Sequence, residues 1–229
     1  DLGDSDIFLA KFDASGEHLW SKRFGGEGTD NGYSVAVDGS SNVFVTGSFY
    51  SRSVNFGGDE LTCGDHGNIF LAKYDAGGEH QWSKCFGGGG WDGVNEGKSL
   101  AVDDSGNVLM TGDFSGTVDF GGGELSGPYG GDGGEVFFLA KYNTSGVHQW
   151  SKAGEEDDGQ GKSVAVDGSG NIFVTWQHSF YRIRTIFIFI ADIEIFINNR
   201  GFIDCFCNLQ FYLIEFFFRK TQIPARLIS

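Results

Sequence analysis

Basic residues are scarce. The 229-residue chain has 16 Lys and Arg against 31 Asp and Glu, and in residues 1–175 the imbalance deepens to 10 against 27, a formal charge of −17. Such a surface repels phosphate backbones and anionic lipid, which excludes nucleic acid gripped by a basic patch and leaves cations or positively charged partners. It also matches the solvated acidic exterior that keeps secreted proteins soluble. Cysteine is sparse too: the four lie at 63, 85, 205 and 207, none in a repeated position, so they are not a framework shared between repeats. Cys205-Phe206-Cys207 has a single intervening residue, too few for a zinc knuckle, and no histidine at ligand spacing. A Cys63–Cys85 disulfide is compatible with the sequence but not demanded by it.

The motifs of several enzyme classes are missing as well. No Gly-x-Ser-x-Gly elbow, His-Glu-x-x-His pair or Walker loop occurs. His18, His80 and His148 occupy one repeated position, which makes them a feature of a structural unit rather than a triad. Glycine richness, 38 residues, signals turns and not phosphate cradles. The expectation is therefore a protein that is not an enzyme and needs no cofactor. The chain opens at Asp1 without an initiator Met, basic leader or apolar h-region, so a signal peptide is absent or already removed. Phe202 to Phe218, 17 residues including Asp204 and Glu215, is too short and too charged for a transmembrane span.

What the chain does have is repetition. Phe8-Leu9-Ala10-Lys11 recurs at Phe70 to Lys73 and at Phe138 to Lys141, spacings of 62 and 68 residues, and each Lys is followed nine residues later by Trp-Ser-Lys at Trp20, Trp82 and Trp150. A period on that scale marks a supersecondary unit that is copied and stacked. Each unit reads as four β-type runs. Tyr33 to Val37 leads through Asp38-Gly39-Ser40-Ser41 to Asn42 to Phe49; a Gly-rich excursion follows; then Asn68 to Tyr74 turns at Asp75-Ala76-Gly77-Gly78 into His80 to Phe86. β-Branched and aromatic residues fill the runs and Gly, Asp, Asn and Ser fill the gaps.

Along Ile7-Phe8-Leu9-Ala10 and Val43-Phe44-Val45 successive residues are apolar on both faces, so both faces of the sheet must be covered. A blade between two other blades meets that demand. The small Ala within Val-Ala-Val suits a crowded innermost strand and the Trp and Phe positions suit the wider periphery. The fold class is thus all-β: a partial β-propeller of four-stranded antiparallel blades of about 64 residues. It comprises a half blade at 6–24, blades at 33–86 and 98–152, and a half blade at 162–175, together forming an incomplete propeller over residues 1–175. Propellers close with about 4–8 blades, so these units are a piece of a larger ring or must find partner copies.

These phrases, Ala-Val-Asp-x-Ser-Gly-Asn-Val/Ile-Phe-Val-Thr-Gly and Phe-Leu-Ala-Lys-Tyr-Asp-x-x-Gly-x-x-x-Trp-Ser-Lys, resemble the bacterial β-propeller repeat family SBBP from about Asp6 to Thr175. The resemblance implies a cell-surface or secreted propeller, extracellular in location, and carries no catalytic residues to transfer. The Asp-x-x-Gly-x-x-x-Trp stretch also resembles quinoprotein-type propellers, whose repeats are shorter.

Two kinds of site are candidates. Asp38 with Asn42, Asp103 with Asn107, and Asp167 with Asn171 place oxygen side chains at alternate positions, as at the start of a calcium loop, and a hairpin turn explains the same residues. The loops between repeats carry Trp91 and Asp92 in one copy and Glu155, Glu156, Asp157 and Asp158 in another; such loops are where propellers hold ligands. The expected role is a binding or adhesion scaffold for a protein or glycan, in company with the remaining blades of a parent protein. The alternative is a fragment of a propeller enzyme, a lyase, hydrolase or quinoprotein-like protein, whose active site lies in other blades.

At Thr175 the pattern breaks. The repeat predicts Thr-Gly-Ser/Asp-Phe and the chain reads Thr175-Trp176-Gln177-His178. Residues 176–229 hold ten Phe, eleven Ile and one Gly, and Ile186 to Ile197 alternates as a strand does. A Trp codon followed by a Gln codon, read one base later, begins with a Gly codon and then Asn or Ser. An out-of-frame or mis-predicted extension is the expectation, and as an apolar tail it should promote aggregation. Sequencing the gene and its transcript across this junction is expected to reveal the shift; an intact native frame would refute it.

Overall fold

A computed structural model describes residues 5–64, 67–87, 95–127, 134–154 and 159–177, and four further strands between 185 and 215. No helix appears among the described residues, and hence none long and apolar enough to cross a membrane. The chain divides into two units, Asp1–Ser179 and Phe180–Ser229.

The first unit is a partial β-propeller. β1 (Ile7–Phe12) and β2 (His18–Phe24) form a half blade. The next blade is the antiparallel sheet of β3 (Asp30–Val37), β4 (Val43–Phe49), β7 (Asn68–Tyr74) and β8 (His80–Gly87), with a small ribbon of β5 (Val54–Asn55) and β6 (Glu60–Leu61) in the excursion between β4 and β7. The following blade repeats the order as β9 (Glu96–Val102), β10 (Val108–Phe114), β13 (Val136–Tyr142) and β14 (His148–Ala153), again with a ribbon, β11 (Thr117–Asp119) and β12 (Glu124–Ser126). β15 (Gln160–Val166) and β16 (Ile172–Gln177) make the closing half blade. The second unit is one antiparallel sheet of β17 (Thr185–Ile190), β18 (Ile193–Asn198), β19 (Phe202–Cys207) and β20 (Gln210–Glu215) in sequential order.

The first strand of each blade begins before the apolar run that announces it. Register shifts at Gly32/Ser34, at Thr111/Gly112 opposite Lys98, and at Gly161/Ser163 mark a bulge at Tyr33, Lys98 and Lys162. A bulge breaks the two-residue alternation, so the polar residues ahead of it are strand residues that the pattern does not reveal.

The core lies between the blades. One cluster joins Ile7, Leu9 and Phe24 of the first half blade to Phe70, Ala72 and Tyr74 of β7, and the other joins Phe44, Ile69 and Leu71 to Phe138, Ala140 and Tyr142 of β13. β4 and β7 are therefore buried along their whole length. Where a neighbour lacks strands, the matching face is open. Val35 and Val37 on β3 are each 57 % exposed, because the half blade ahead of them supplies no first strand. Each excursion ribbon carries a plug, Phe56 or Phe120, directly after its first strand. Phe56 lies 4.5 Å from Phe70 and Phe120 lies 4.4 Å from Phe138, and the Tyr74 and Tyr142 hydroxyls donate to the plug carbonyls at 2.9 Å.

The repeated Lys and Trp build a clasp from one blade to the next. Lys11 and Trp20 are cross-strand partners, and Lys11 Nζ (2.8 Å) and Trp20 Nε1 (3.4 Å) both donate to the carbonyl of Ala76 in the β7–β8 turn. Lys73 Nζ (2.9 Å) and Trp82 Nε1 (3.2 Å) do the same to Thr144 in the β13–β14 turn. The turn glycine completes the fit: Gly78 (φ +86°) and Gly146 (φ +78°) lie against the Trp20 and Trp82 rings, where a Cβ would come within 3.1 and 3.0 Å. Along the inner strands Ser34 Oγ accepts from Leu100 N (3.1 Å) and Ser99 Oγ from Val164 N (3.2 Å).

Because both donors serve one carbonyl, Trp82→Phe and Lys73→Met should each cost about 1 kcal/mol. The double variant should cost less than their sum, measured by urea unfolding. Strict additivity, or no loss in either variant, would count against the clasp.

Candidate functional site

The clasp positions are the same in every blade; the positions at the opposite end of the first two strands are not. Asn31, Glu96 and Gln160 correspond, as do Tyr33, Lys98 and Lys162 at the bulge, and Ser48, Asp113 and Gln177 at the end of the second strand. Equivalent backbone therefore presents different chemistry blade by blade at this rim.

Its polar centre lies where β9 and β10 meet the preceding blade. Lys98 Nζ is 3.1 Å from Glu96 Oε2 and 2.5 Å from Asp113 Oδ1. The Tyr33 hydroxyl, reaching across from β3, donates to Glu96 Oε1 at 2.8 Å. On the other side Gln160 donates to Glu135, and Lys162 in turn donates to Gln160. Asn95, buried just ahead of β9, donates to the Gly67 carbonyl at 2.8 Å.

Asp113 is fully buried, and among the described residues its Oδ2 has no hydrogen-bond partner. Burial disfavours its charge; the Lys98 ammonium opposes this, and Glu135 and Glu96 reinforce it. The net result is a carboxyl pushed up from 3.8 to about 7. Burial alone would lower Lys98, but its bonds to Asp113 and Glu96 leave it raised. Burial likewise raises Tyr50, with Glu96, Asp113 and Glu135 adding to the effect.

The sequence candidates lie elsewhere. Asp38, Asp103 and Asp167 sit in the β3–β4, β9–β10 and β15–β16 hairpins, at the far end of the strands from the rim. Each is engaged by its own turn. Asp38 Oδ1 accepts from Ser40 N and Asn42 N at 2.9 Å and its Oδ2 accepts from Asn42 Nδ2 at 2.7 Å, and the same bonds recur for Asp103 with Asn107 and Asp167 with Asn171. Asp103 also meets Lys141 Nζ at 2.8 Å. Burial would raise this carboxyl, but Lys141 and Asn107 outweigh it and hold it at about 2. Among the described residues no three His, Cys, Asp or Glu are grouped to hold a metal. Trp91, Asp92, Glu155, Glu156, Asp157 and Asp158 fall outside the described residues. Missing from the sequence candidates were Tyr33, Glu96, Lys98, Asp113 and Glu135; their signal is variation at fixed repeat positions.

The histidines belong to the blade, as expected. His80 Nε2 and His148 Nε2 each lie 3.1 Å from the Ser83 and Ser151 hydroxyls, and their rings cover Gly58 and Gly122.

Residues 19–48, spanning β2, β3 and most of β4, match the SBBP family model, described as a beta-propeller repeat. That stretch is an SBBP repeat. Among curated proteins, this SBBP chain is 29 % identical over 163 residues to an uncharacterized WD repeat-containing protein, L264, of Acanthamoeba polyphaga mimivirus, covering 65 % of the chain. It is 30 % identical over 177 residues to the regulatory protein FlaEY of Caulobacter vibrioides, covering 73 % of the chain. The chain spans only 12 % and 18 % of those two relatives. Among solved structures the Dos1 propeller is similar over 90 % of this chain and 53 % of its own, at 11 % identity and a TM-score of 0.34.

Folding raises the Asp113 pKa, so between 3.8 and about 7 the native SBBP unit holds a proton that the unfolded chain has lost. That contribution is complete below the unfolded pKa and is lost as pH rises through the folded one. Stability from this group should fall by on the order of a few kcal/mol across that window, and Asp113→Asn should flatten the profile in urea melts at pH 4.5 to 8. An unchanged profile would show that Asp113 is not the titrating group.

Proposed function

We propose that this chain is a non-catalytic binding scaffold, extracellular or at the cell surface, which presents the variable rim to a protein or glycan ligand as an adhesion or recognition module. The observation that carries this reading is the division of labour in the repeat: residues identical between blades are spent on clasps and turns, and residues that differ collect at one end. Tyr33 and Tyr50 offer aromatic faces beside Glu96 and Glu135, a combination suited to stacking on a sugar or on a cationic side chain. The Cys63–Cys85 disulfide, with Cα atoms 6.0 Å apart, ties the loop after β6 to β8 and supports an oxidising compartment. The three Asp–Asn hairpins close on their own hydrogen bonds, which supports a reading without a bound cofactor.

One observation favours a second reading, a fragment of a propeller enzyme: a buried carboxyl raised to about 7 next to two others is the kind of group that general acid–base chemistry uses.

Binding to an immobilised panel of lysine-rich peptides and of neutral and acidic oligosaccharides, read by calorimetry on the hits, tests the scaffold. Glu96→Gln and Tyr33→Ala should each weaken binding about tenfold, a loss of roughly 1.4 kcal/mol, while Asp167→Asn at the far end should leave it unchanged. Binding that ignores the rim variants, or turnover of a panel member abolished by Asp113→Asn, would reject the reading.

A further inference from the structure

At the rim, the position of the first-strand bulge and the end of the second strand bring together Tyr33 with Ser48, Lys98 with Asp113, and Lys162 with Gln177. Only the blade of β9 and β10 sets an amine against a carboxyl there. Lys98 Nζ stands 2.5 Å from Asp113 Oδ1 and 3.1 Å from Glu96 Oε2, and the Tyr33 hydroxyl holds the other Glu96 oxygen at 2.8 Å. The Asp113 side chain is wholly buried and that of Lys98 is 16 % exposed, so bulk water is kept from the carboxyl carbon. Asp113 Oδ2 lies in this closed space without a hydrogen-bond partner. Burying a lysine and a carboxyl together is costly, and an unmatched buried oxygen adds to the cost.

We infer that Lys98 and Asp113 condense in the folded protein into an amide, a covalent staple between β9 and β10 that forms from the chain's own groups. The bonds to Asp113 and Glu96 keep Lys98 an ammonium, so a base must first free its nitrogen. Glu96 Oε2 takes one proton from Nζ. The amine then forms a bond to Cγ of protonated Asp113, pushing the carbonyl electrons onto Oδ1. Glu96 returns its proton to the Oδ2 hydroxyl, the Cγ–Oδ2 bond breaks and Oδ2 leaves as water while the Oδ1 carbonyl reforms. The nitrogen sheds its remaining extra proton to Glu96, which passes it to solvent. Nothing is oxidised or reduced, and one water is lost.

Proximity alone does not select this pair, because Lys141 Nζ lies 2.8 Å from Asp103. The two carboxyls differ in protonation. Lys141 and Asn107 hold Asp103 ionised, at about 2, and an amine does not add to a carboxylate. Burial, with Glu135 and Glu96 nearby, pushes Asp113 up to about 7, which populates the acid at neutral pH. Condensation expels the very oxygen that no group satisfies and replaces a buried ion pair by a neutral amide. It also ties β9 to β10 at the bulge, where the register shift interrupts their ladder. The staple rests on no ligand. The pH dependence expected of Asp113 is that of the chain before the link closes.

Mass spectrometry of the full 229-residue chain tests the inference. Refolded from urea and then reduced, the chain should settle one water below its 24.8 kDa sequence mass, whereas chain kept in urea should not. Trypsin should cut after Lys98 before the loss and not after it. Lys98→Arg, which keeps the charge but forms no such amide, should retain full mass and unfold at a lower urea midpoint than the linked protein. Asp113→Asn should reach the same final mass as the native chain, losing ammonia in place of water. Glu96→Gln should slow the loss at least tenfold with the β-sheet circular dichroism unchanged; an unchanged rate would remove Glu96 from the reaction. Full mass and normal cleavage after Lys98 in the folded protein would overturn the inference. So would a water loss that persists in Lys98→Arg, since it would then arise at another site.

Discussion

A β-sheet that is apolar on both faces cannot exist alone in water, and this constraint governs the propeller unit. Phe44, Leu71 and Ile69 face one neighbour while Val45, Phe70 and Ala72 face the other, so each sheet is stable only as the middle of a stack. Burial of each such phenylalanine contributes about 2–3 kcal/mol, but that attraction is non-directional and would let sheets slide. The Lys–Trp clasp supplies direction: two donors from adjacent strands converge on one carbonyl, and a glycine in the left-handed region leaves room for the indole. Stacking distance and rotation between blades are thereby fixed together.

That arrangement confines invention to places the clasp does not use. The hairpins between first and second strands are occupied by their own Asp-centred hydrogen bonds, and the turns between third and fourth strands are docked on the neighbouring blade. What remains free to vary is the rim where the first strand begins. A bulge at Tyr33, Lys98 and Lys162 lifts one side chain out of the pleat there, giving each blade a separate choice of residue on an otherwise invariant backbone. Blade by blade the choices are aromatic, cationic and cationic, with a buried carboxyl under the second.

Much of the architecture was legible because the phrases that repeat are the ones that hold blades together: the Phe-Leu-Ala-Lys run could be placed on a two-sided strand from its unbroken hydrophobicity, and the Asp-x-x-Gly turns from their chemistry. The rim was not legible. Glu96, Lys98 and Asp113 look like ordinary polar strand residues, and the bulge that brings two of them onto a buried third breaks the period by which strands are recognised. The excursion ribbons escaped for a related reason, since two- and three-residue strands such as Val54–Asn55 and Thr117–Asp119 are too short to show alternation. The Cys63–Cys85 pairing needed coordinates because spacing alone does not determine which thiols meet. The oxygen-rich Asp–Asn positions illustrate the converse: one pattern is shared by a cation loop and a hairpin, and only coordinates show that the Ser40 and Asn42 amides donate to the Asp38 carboxylate.

The full burial of β4 and β7 also sets an order of events for the whole stack. In a linear array where free energy resides at the junctions between units, an internal sheet is released only after a junction on either side has opened, while a terminal one leaves after a single junction fails. Among the described residues, opening of the sheet of β3, β4, β7 and β8 therefore waits on the failure of a junction beside it, and its buried amide hydrogens are slow to trade with solvent.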